Sequence, residues 1–168
     1  MVSFTDSAEA EALAERAHEL MEEVVLPKER EIKGGMAVSE STLEELRAAA
    51  REYGVYAPQI AEEYGGMGYD FRDALPTFEE AGRSLLGAQA MRIAAPDEGN
   101  MHLLELHGSE LQKEEYLKPL VAGDLSSGFS MTEPMQGGGS DPKMLKTTAE
   151  KDGDEWVIDG HKWWTTNG

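Results

Sequence analysis

Apolar residues recur at helical spacing from the start of the chain. Leu13, Ala17, Leu20, Met21, Val24 and Val25 fall on one face with acids and Arg16 between them, which predicts an amphipathic helix ending before Pro27. The loop IKGGMAVSE follows. A second helix opens on Ser41 with Glu44 three residues on, turns Leu43, Leu46 and Ala50 inward, and stops at Gly54. The run VYAPQIAEEYGGMGYDF mixes Pro and Gly with aromatics, as a packed connection does. From Asp70 to about Ser84 the stripe Phe71, Leu75, Phe78 predicts a third helix, in which Pro76 marks either a kink or the true first turn. A fourth is expected from Ala88 to Leu106, weakest at Gly99. A fifth begins at a capping box, Ser109 and Gln112, buries Leu117, Leu120 and Val121, and closes at Gly123.

Beyond residue 125 the period changes. SSGFSMT alternates bulky residues at Phe129 and Met131, as a strand ending at Thr132 would, and Asp152-Gly153 and Asp159-Gly160 are hairpin signals. They predict a meander of about Leu145 to Lys151, Glu155 to Ile158 and His161 to Thr166. The fold class expected is α+β: an all-α domain over 1–125, then the first strands of an antiparallel, barrel-like domain over 126–168. A sheet edge ending in Trp163-Trp164 with no strand after it is an aggregation liability, so a continuation or a partner chain is expected.

Composition narrows the function. The chain has 33 acidic against 15 basic residues, a formal charge of -18, with the acids spread along its length. With no phosphate-neutralising patch, nucleic acid and anionic membranes are disfavoured as partners. Two readings of the charge stand: a well-solvated acidic surface, or adaptation to high salt, where screening shrinks self-repulsion. The absence of cysteine removes disulfides and thiolate sites. His18, His102, His107 and His161 lack ligand spacing, so no metal site is expected. The pairs Glu62-Glu63, Glu79-Glu80 and Glu114-Glu115 read as solvated surface, because adjacent helical residues do not face each other. Without a basic segment leading into an apolar run, the expected location is cytoplasmic.

The distinctive stretch is FSMTEPMQGGGSD, residues 129–141, a strand end, a Pro-stiffened turn and a Gly-rich loop. Such a loop can cradle phosphate oxygens or be an ordinary flexible turn. Two adjacent Trp in a strand point to opposite faces, so one of the pair is expected in the core or an interface.

Taken with DGDEWVIDGHKWWTTNG, this stretch resembles the start of the central β-domain of acyl-CoA dehydrogenases, most closely the branch with GRKWW-type sequences. EEYGGMGYD, EEAGRS, APDEGNM and QKEEYLKPLVAGD resemble that family's helical amino-terminal domain, in order. The resemblance implies a FAD cofactor, an acyl-CoA substrate and α,β-dehydrogenation in fatty acid metabolism. In the reaction the resemblance implies, a carboxylate would take the α-proton while the β-hydrogen leaves as hydride to flavin N5. It further implies that Phe129, Met131 and Thr132 line the flavin ring on one side, and that Trp164, Thr165 and Thr166 close the other. Gly139 and Ser140 would end the Gly loop at the acyl-CoA or flavin phosphates, and Asn100 and Met101, in APDEGNM, would line the acyl channel, although as sequence Pro96 to Gly99 reads equally as a turn between helices. Lys162 reads as a surface or packing residue. Between TEP and GSD this sequence carries MQGG, two residues longer than the shortest family form, TEPGAGSD, which leaves the register of Gly137 and Gly138 open.

In the family the base is a glutamate of the carboxy-terminal helical domain, so no catalytic residue is expected in this chain, which alone would be inactive. A complete enzyme of this kind would be a homo-oligomer. Two other readings stand beside this one: a small subunit completing a flavin site with another chain, and a sister flavoenzyme such as an acyl-CoA oxidase or nitroalkane oxidase.

The high-salt reading predicts that the chain folds fully only in molar salt; a urea midpoint already at its maximum in dilute buffer would eliminate it.

Overall fold

A computed structural model describes residues 6–32, 38–135 and 138–168. Most of the loop expected over IKGGMAVSE, and Gly137 of the Gly-rich loop, fall outside them. The chain divides into two compact units, Met1–Leu125 and Ser126–Gly168.

The first unit is helical: α1 (Ala8–Leu20), α2 (Leu26–Glu31), α3 (Glu40–Glu52), α4 (Phe71–Ala81), α5 (Gly87–Ala90), α6 (Asp97–His107), α7 (Glu110–Gln112) and α8 (Lys118–Ala122). Its core gathers Leu13, Leu20, Met21, Leu46, Ile60 and Met91. The connection Val55–Ile60 is buried at every residue. Its backbone is satisfied in part by Ala57 N–H donating to Met91 O at 2.9 Å and Tyr69 N–H to Pro58 O at 2.9 Å.

The first helix does not end before Pro27. Met21–Val25 form a π-turn, Leu26 N–H donates to Met21 O, and helix continues through Pro27 to Glu31. The same device recurs at Lys113–Leu117, where Lys118 N–H donates to Lys113 O, and Pro119 follows. In both, Pro stands two residues after the wide turn, in MEEVVLP and KEEYLKP. A proline ring clashes with the carbonyl four residues back and removes a donor. Widening the preceding turn shifts that carbonyl and lets the helix run on.

Other expectations are corrected. Ser39, not Ser41, caps α3, its hydroxyl accepting from Thr42 N–H at 3.2 Å. Pro76 lies inside α4, which starts at Phe71 behind the Asp70 cap. That helix turns Ala74, Thr77 and Ala81 inward and leaves Phe71 and Leu75 nearly half exposed. The small residues permit close approach to α1, so packing distance outweighs the period of the large side chains. The helix expected over Ala88–Leu106 is two helices, broken where Arg92 adopts a left-handed φ of 58° and Ala95-Pro96 is cis. The Ser109–Gln112 capping box forms as expected, with both reciprocal bonds present, and Gly123, at φ 95°, closes α8.

Arg92 breaks its helix to reach the end of α8. Its Nε and Nη2 donate to Leu120 O at 2.9 and 2.6 Å, Nη2 also to Leu125 O at 2.8 Å, and Nη1 to Asp97 Oδ2 at 2.8 Å. Arg51 donates to Ala122 O at 2.8 Å, Arg47 to Gly123 O at 3.4 Å, and the Tyr56 hydroxyl to Val121 O at 2.6 Å. The last carbonyls of a helix have no partner within it. Here three arginines and a tyrosine supply them, fixing the chain where it leaves the helical unit.

Arg92 and Asp97 are 4% and 7% exposed. Removing one partner strands a buried charge, so Asp97→Ala should lower urea-measured stability by about 3–5 kcal/mol. Glu114→Ala, which removes the exposed partner of Lys118, should cost less than about 1 kcal/mol.

Candidate functional site

Among its described residues the second unit holds one antiparallel pair, β1 (Thr148–Asp152) and β2 (Glu155–Asp159), in register from Thr148 opposite Asp159 to Asp152 opposite Glu155. Gly153 takes the positive-φ first position of the two-residue turn, at 61°. The first strand thus starts three residues later than the expected Leu145. No second hairpin forms at Asp159-Gly160. Gly160 instead lets the backbone pass Thr147 closely, where a Cβ would meet Thr147 Oγ1 at 2.1 Å.

Neither SSGFSMT nor His161–Thr166 is a regular strand, yet the two run antiparallel side by side. Asn167 Nδ2 donates to Ser127 O at 3.1 Å, the Ser130 and Thr165 hydroxyls are 3.1 Å apart, and Trp163 N–H donates to Thr132 O at 3.1 Å. Gly128 belongs to this seam, because a Cβ there would press on Thr165 Cγ2 at 3.2 Å and Thr166 O at 3.3 Å. Side-chain and backbone bonds both cross the seam.

Within the seam Trp164 has a left-handed φ of 56°. For a bulky residue this is an uncommon and costly conformation. It also overturns the expectation of opposite faces: the Trp163 and Trp164 rings are neighbours, with centroids 5.7 Å apart at 56°. Trp164 is 81% exposed and Phe129 56%. Met131, Thr132 and Thr165 are half-buried, while Ser140 and Thr166 are exposed. Among the described residues the Thr132 hydroxyl and N–H reach no protein acceptor. In the helical unit, Asn100 is half-buried on α6 and Met101 is wholly within the core.

The residue that sequence reasoning passed over is Glu133. It is 2% exposed. Its carboxylate accepts from Lys146 N–H at 2.8 Å, Thr147 N–H at 2.9 Å and the Lys162 ammonium at 2.9 Å. Its own N–H donates to Gly139 O at 2.9 Å, which ties in the Gly-rich loop, whose Gly139 has φ 64°. Lys162 also donates to Met131 O at 2.9 Å, so it is a half-buried ion-pair partner and not a mere surface residue. A signal was available, since Glu133 is the one charged residue between Leu125 and Ser140.

The Thr147 side chain, the Lys146 and Thr147 N–H groups and the Lys162 ammonium hold the Glu133 pKa down at about 2, against burial, which pulls it up. Thr147 Oγ1 makes no bond of good geometry, so the effect rests mainly on the two backbone N–H bonds. Glu133 is therefore an ionised anchor.

Comparison with known proteins decides the family. Residues 7–124 match the acyl-CoA dehydrogenase N-terminal domain and residues 128–168 the middle domain. The chain belongs to the acyl-CoA dehydrogenase family. It is 38% identical over 125 residues to the probable acyl-CoA dehydrogenase FadE2 of Mycobacterium tuberculosis, an alignment covering 74% of this chain and 30% of that protein. A solved Mycobacterium abscessus protein assigned to the acyl-CoA dehydrogenases superposes with TM-score 0.84 at 36% identity, over 97% of this chain and 43% of that one. A Mycobacterium smegmatis glutaryl-CoA dehydrogenase solved with FADH2 shares the fold, with TM-score 0.73 at 24% identity, over 96% of this chain and 40% of that one. The chain thus spans less than half the length of each. Among the described residues no group of three or more His, Cys, Asp or Glu could hold a metal, and no described helix is long and apolar enough to cross a membrane.

A carboxyl whose folded pKa lies below its ordinary 4.5 contributes stability above that pH and loses it as pH falls through about 2. The Lys146 and Thr147 amide resonances should accordingly stay fixed through the range where exposed carboxylates titrate and move only towards pH 2. Movement at pH 4 to 5 would show an ordinary carboxyl.

Proposed function

We propose that this chain forms one wall of a site for FAD-dependent α,β-dehydrogenation of an acyl-CoA thioester, and that the catalytic base comes from outside residues 1–168. The observation that carries this reading is the antiparallel seam between 127–133 and 162–167, which gathers Phe129, Met131 and Thr132 with Trp164, Thr165 and Thr166. Membership of the family and the fold shared with an enzyme solved with FADH2 support it.

The residues present suit a flavin. Exposed Phe129 and Trp164 offer apolar ring surface for a flat heteroaromatic, and Thr132 brings a hydroxyl and an N–H that no protein acceptor engages among the described residues. When bound, FAD supplies the hydride acceptor. This chain's own residues have other tasks. The aromatic side chains exclude water from the ring's face, and the Thr132 donors orient its polar edge. Gly139 and Ser140 meet the phosphates of the flavin or of the acyl-CoA, the left-handed Gly139 allowing close backbone approach. Family membership supports a role for Asn100, on α6, in acyl binding, whereas Met101 beside it in sequence is packed in the core.

Glu133 is not the base. Its oxygens are engaged by N–H groups and an ammonium, and a carboxylate held near pKa 2 is a poor proton acceptor at neutral pH.

Thr132→Ala should weaken flavin binding or slow flavin reduction in the catalytically complete enzyme by about 1–3 kcal/mol, read from FAD titration and stopped-flow reduction. Unchanged values in both would remove Thr132 from the site. The 168-residue chain by itself should leave gel filtration without stoichiometric FAD and should not oxidise acyl-CoA; a yellow, active chain would contradict the assignment of the base.

A further inference from the structure

We infer that Glu133 and Lys162 are a positioning pair that sets the spacing of the two flavin-facing segments. The inference rests on the proposed flavin site and deepens it. Glu133 follows Thr132 directly, and Lys162 is two residues ahead of Trp164. The pair therefore joins the segments at the point where both carry their proposed flavin contacts.

The bonds act together. Lys162 Nζ spans Met131 O and Glu133 Oε1, both at 2.9 Å, while one residue along Trp163 N–H donates to Thr132 O at 3.1 Å. Met131 and Thr132 thus have their carbonyls committed to the opposite segment. The rest of the Glu133 carboxylate holds the 146–147 backbone, and its N–H holds Gly139. One buried carboxylate therefore links the flavin-facing segment, the Gly-rich loop, the lead into β1 and the segment ahead of the tryptophans. Among the described residues neither segment is a regular strand, and Trp164 takes a left-handed φ of 56°. Neutralising either partner leaves the other charge without compensation in a largely enclosed place, whereas removing both leaves none. Neither side chain need touch substrate or flavin for this effect.

The test uses the flavin-loaded enzyme carrying Glu133→Gln, Lys162→Met, or both, with amide exchange at Trp163, FAD affinity and the visible flavin spectrum as readouts. Each single variant should speed exchange at Trp163, raise the FAD Kd by about tenfold or more and alter the flavin band, with the helical far-ultraviolet signal retained. The double variant should lose less than the sum of the singles, because the unpaired charge is gone even though a backbone N–H bond stays lost, which two independent structural roles would not give. Single variants that bind FAD like the parent, or a double variant as weak as the sum of the singles, would overturn the pairing. A parent enzyme that takes no FAD would instead sink the flavin reading, and exchange at Trp163 would then decide the clamp alone.

Discussion

A charge buried in a unit of 43 residues must be compensated, and the way Glu133 is compensated determines how this unit is built. The unit has one two-stranded ribbon, all of it exposed, and such a ribbon has little stability of its own. Glu133 supplies what a sheet would otherwise supply. It satisfies two backbone donors, pairs with Lys162 and anchors the Gly-rich loop through Gly139. A carboxylate accepting from several donors stays ionised, and ionisation makes each of those bonds stronger. Phe129 and Trp164, in the segments it joins, stay exposed.

The helical unit solves a similar problem at its exit. Arg47, Arg51, Arg92 and Tyr56 converge on carbonyls from Leu120 to Gly123. In a chain with more than twice as many acids as bases, three arginines at one helix end are a concentrated investment. Arg92 reaches it from a left-handed backbone, at φ 58°. Burial raises the pKa of the Tyr56 hydroxyl, which keeps it a donor.

Much of this was legible in the sequence, and the failures have physical causes. Capping at Ser109 and closure at Gly123 are local chemistry and could be read directly. The π-turns before Pro27 and Pro119 could not, because the rule that proline ends a helix assumes a regular turn before it. The stripe Phe71, Leu75, Phe78 predicts α4 itself, but of the three only Phe78 packs on the core, because close packing of α4 selects Ala74, Thr77 and Ala81. Thr132 and Trp164 could be singled out by family resemblance, whereas the tilted contact of the Trp163 and Trp164 rings goes with a left-handed backbone angle that no pattern encodes. Glu133 was hidden by its neighbours: the family phrase drew attention to the threonine and the glycines, and a lone acid in an acidic chain reads as solvated until its burial is seen.

The central claim is that the segments about Thr132 and Trp164 form one wall of a flavin site. The most direct measurement is a titration of the isotopically labelled chain with millimolar lumiflavin, followed by amide and indole resonances. Shifts concentrated at Phe129, Met131, Thr132 and Trp164 to Thr166 are the predicted result. Shifts that cluster elsewhere, or none at those residues, would contradict it.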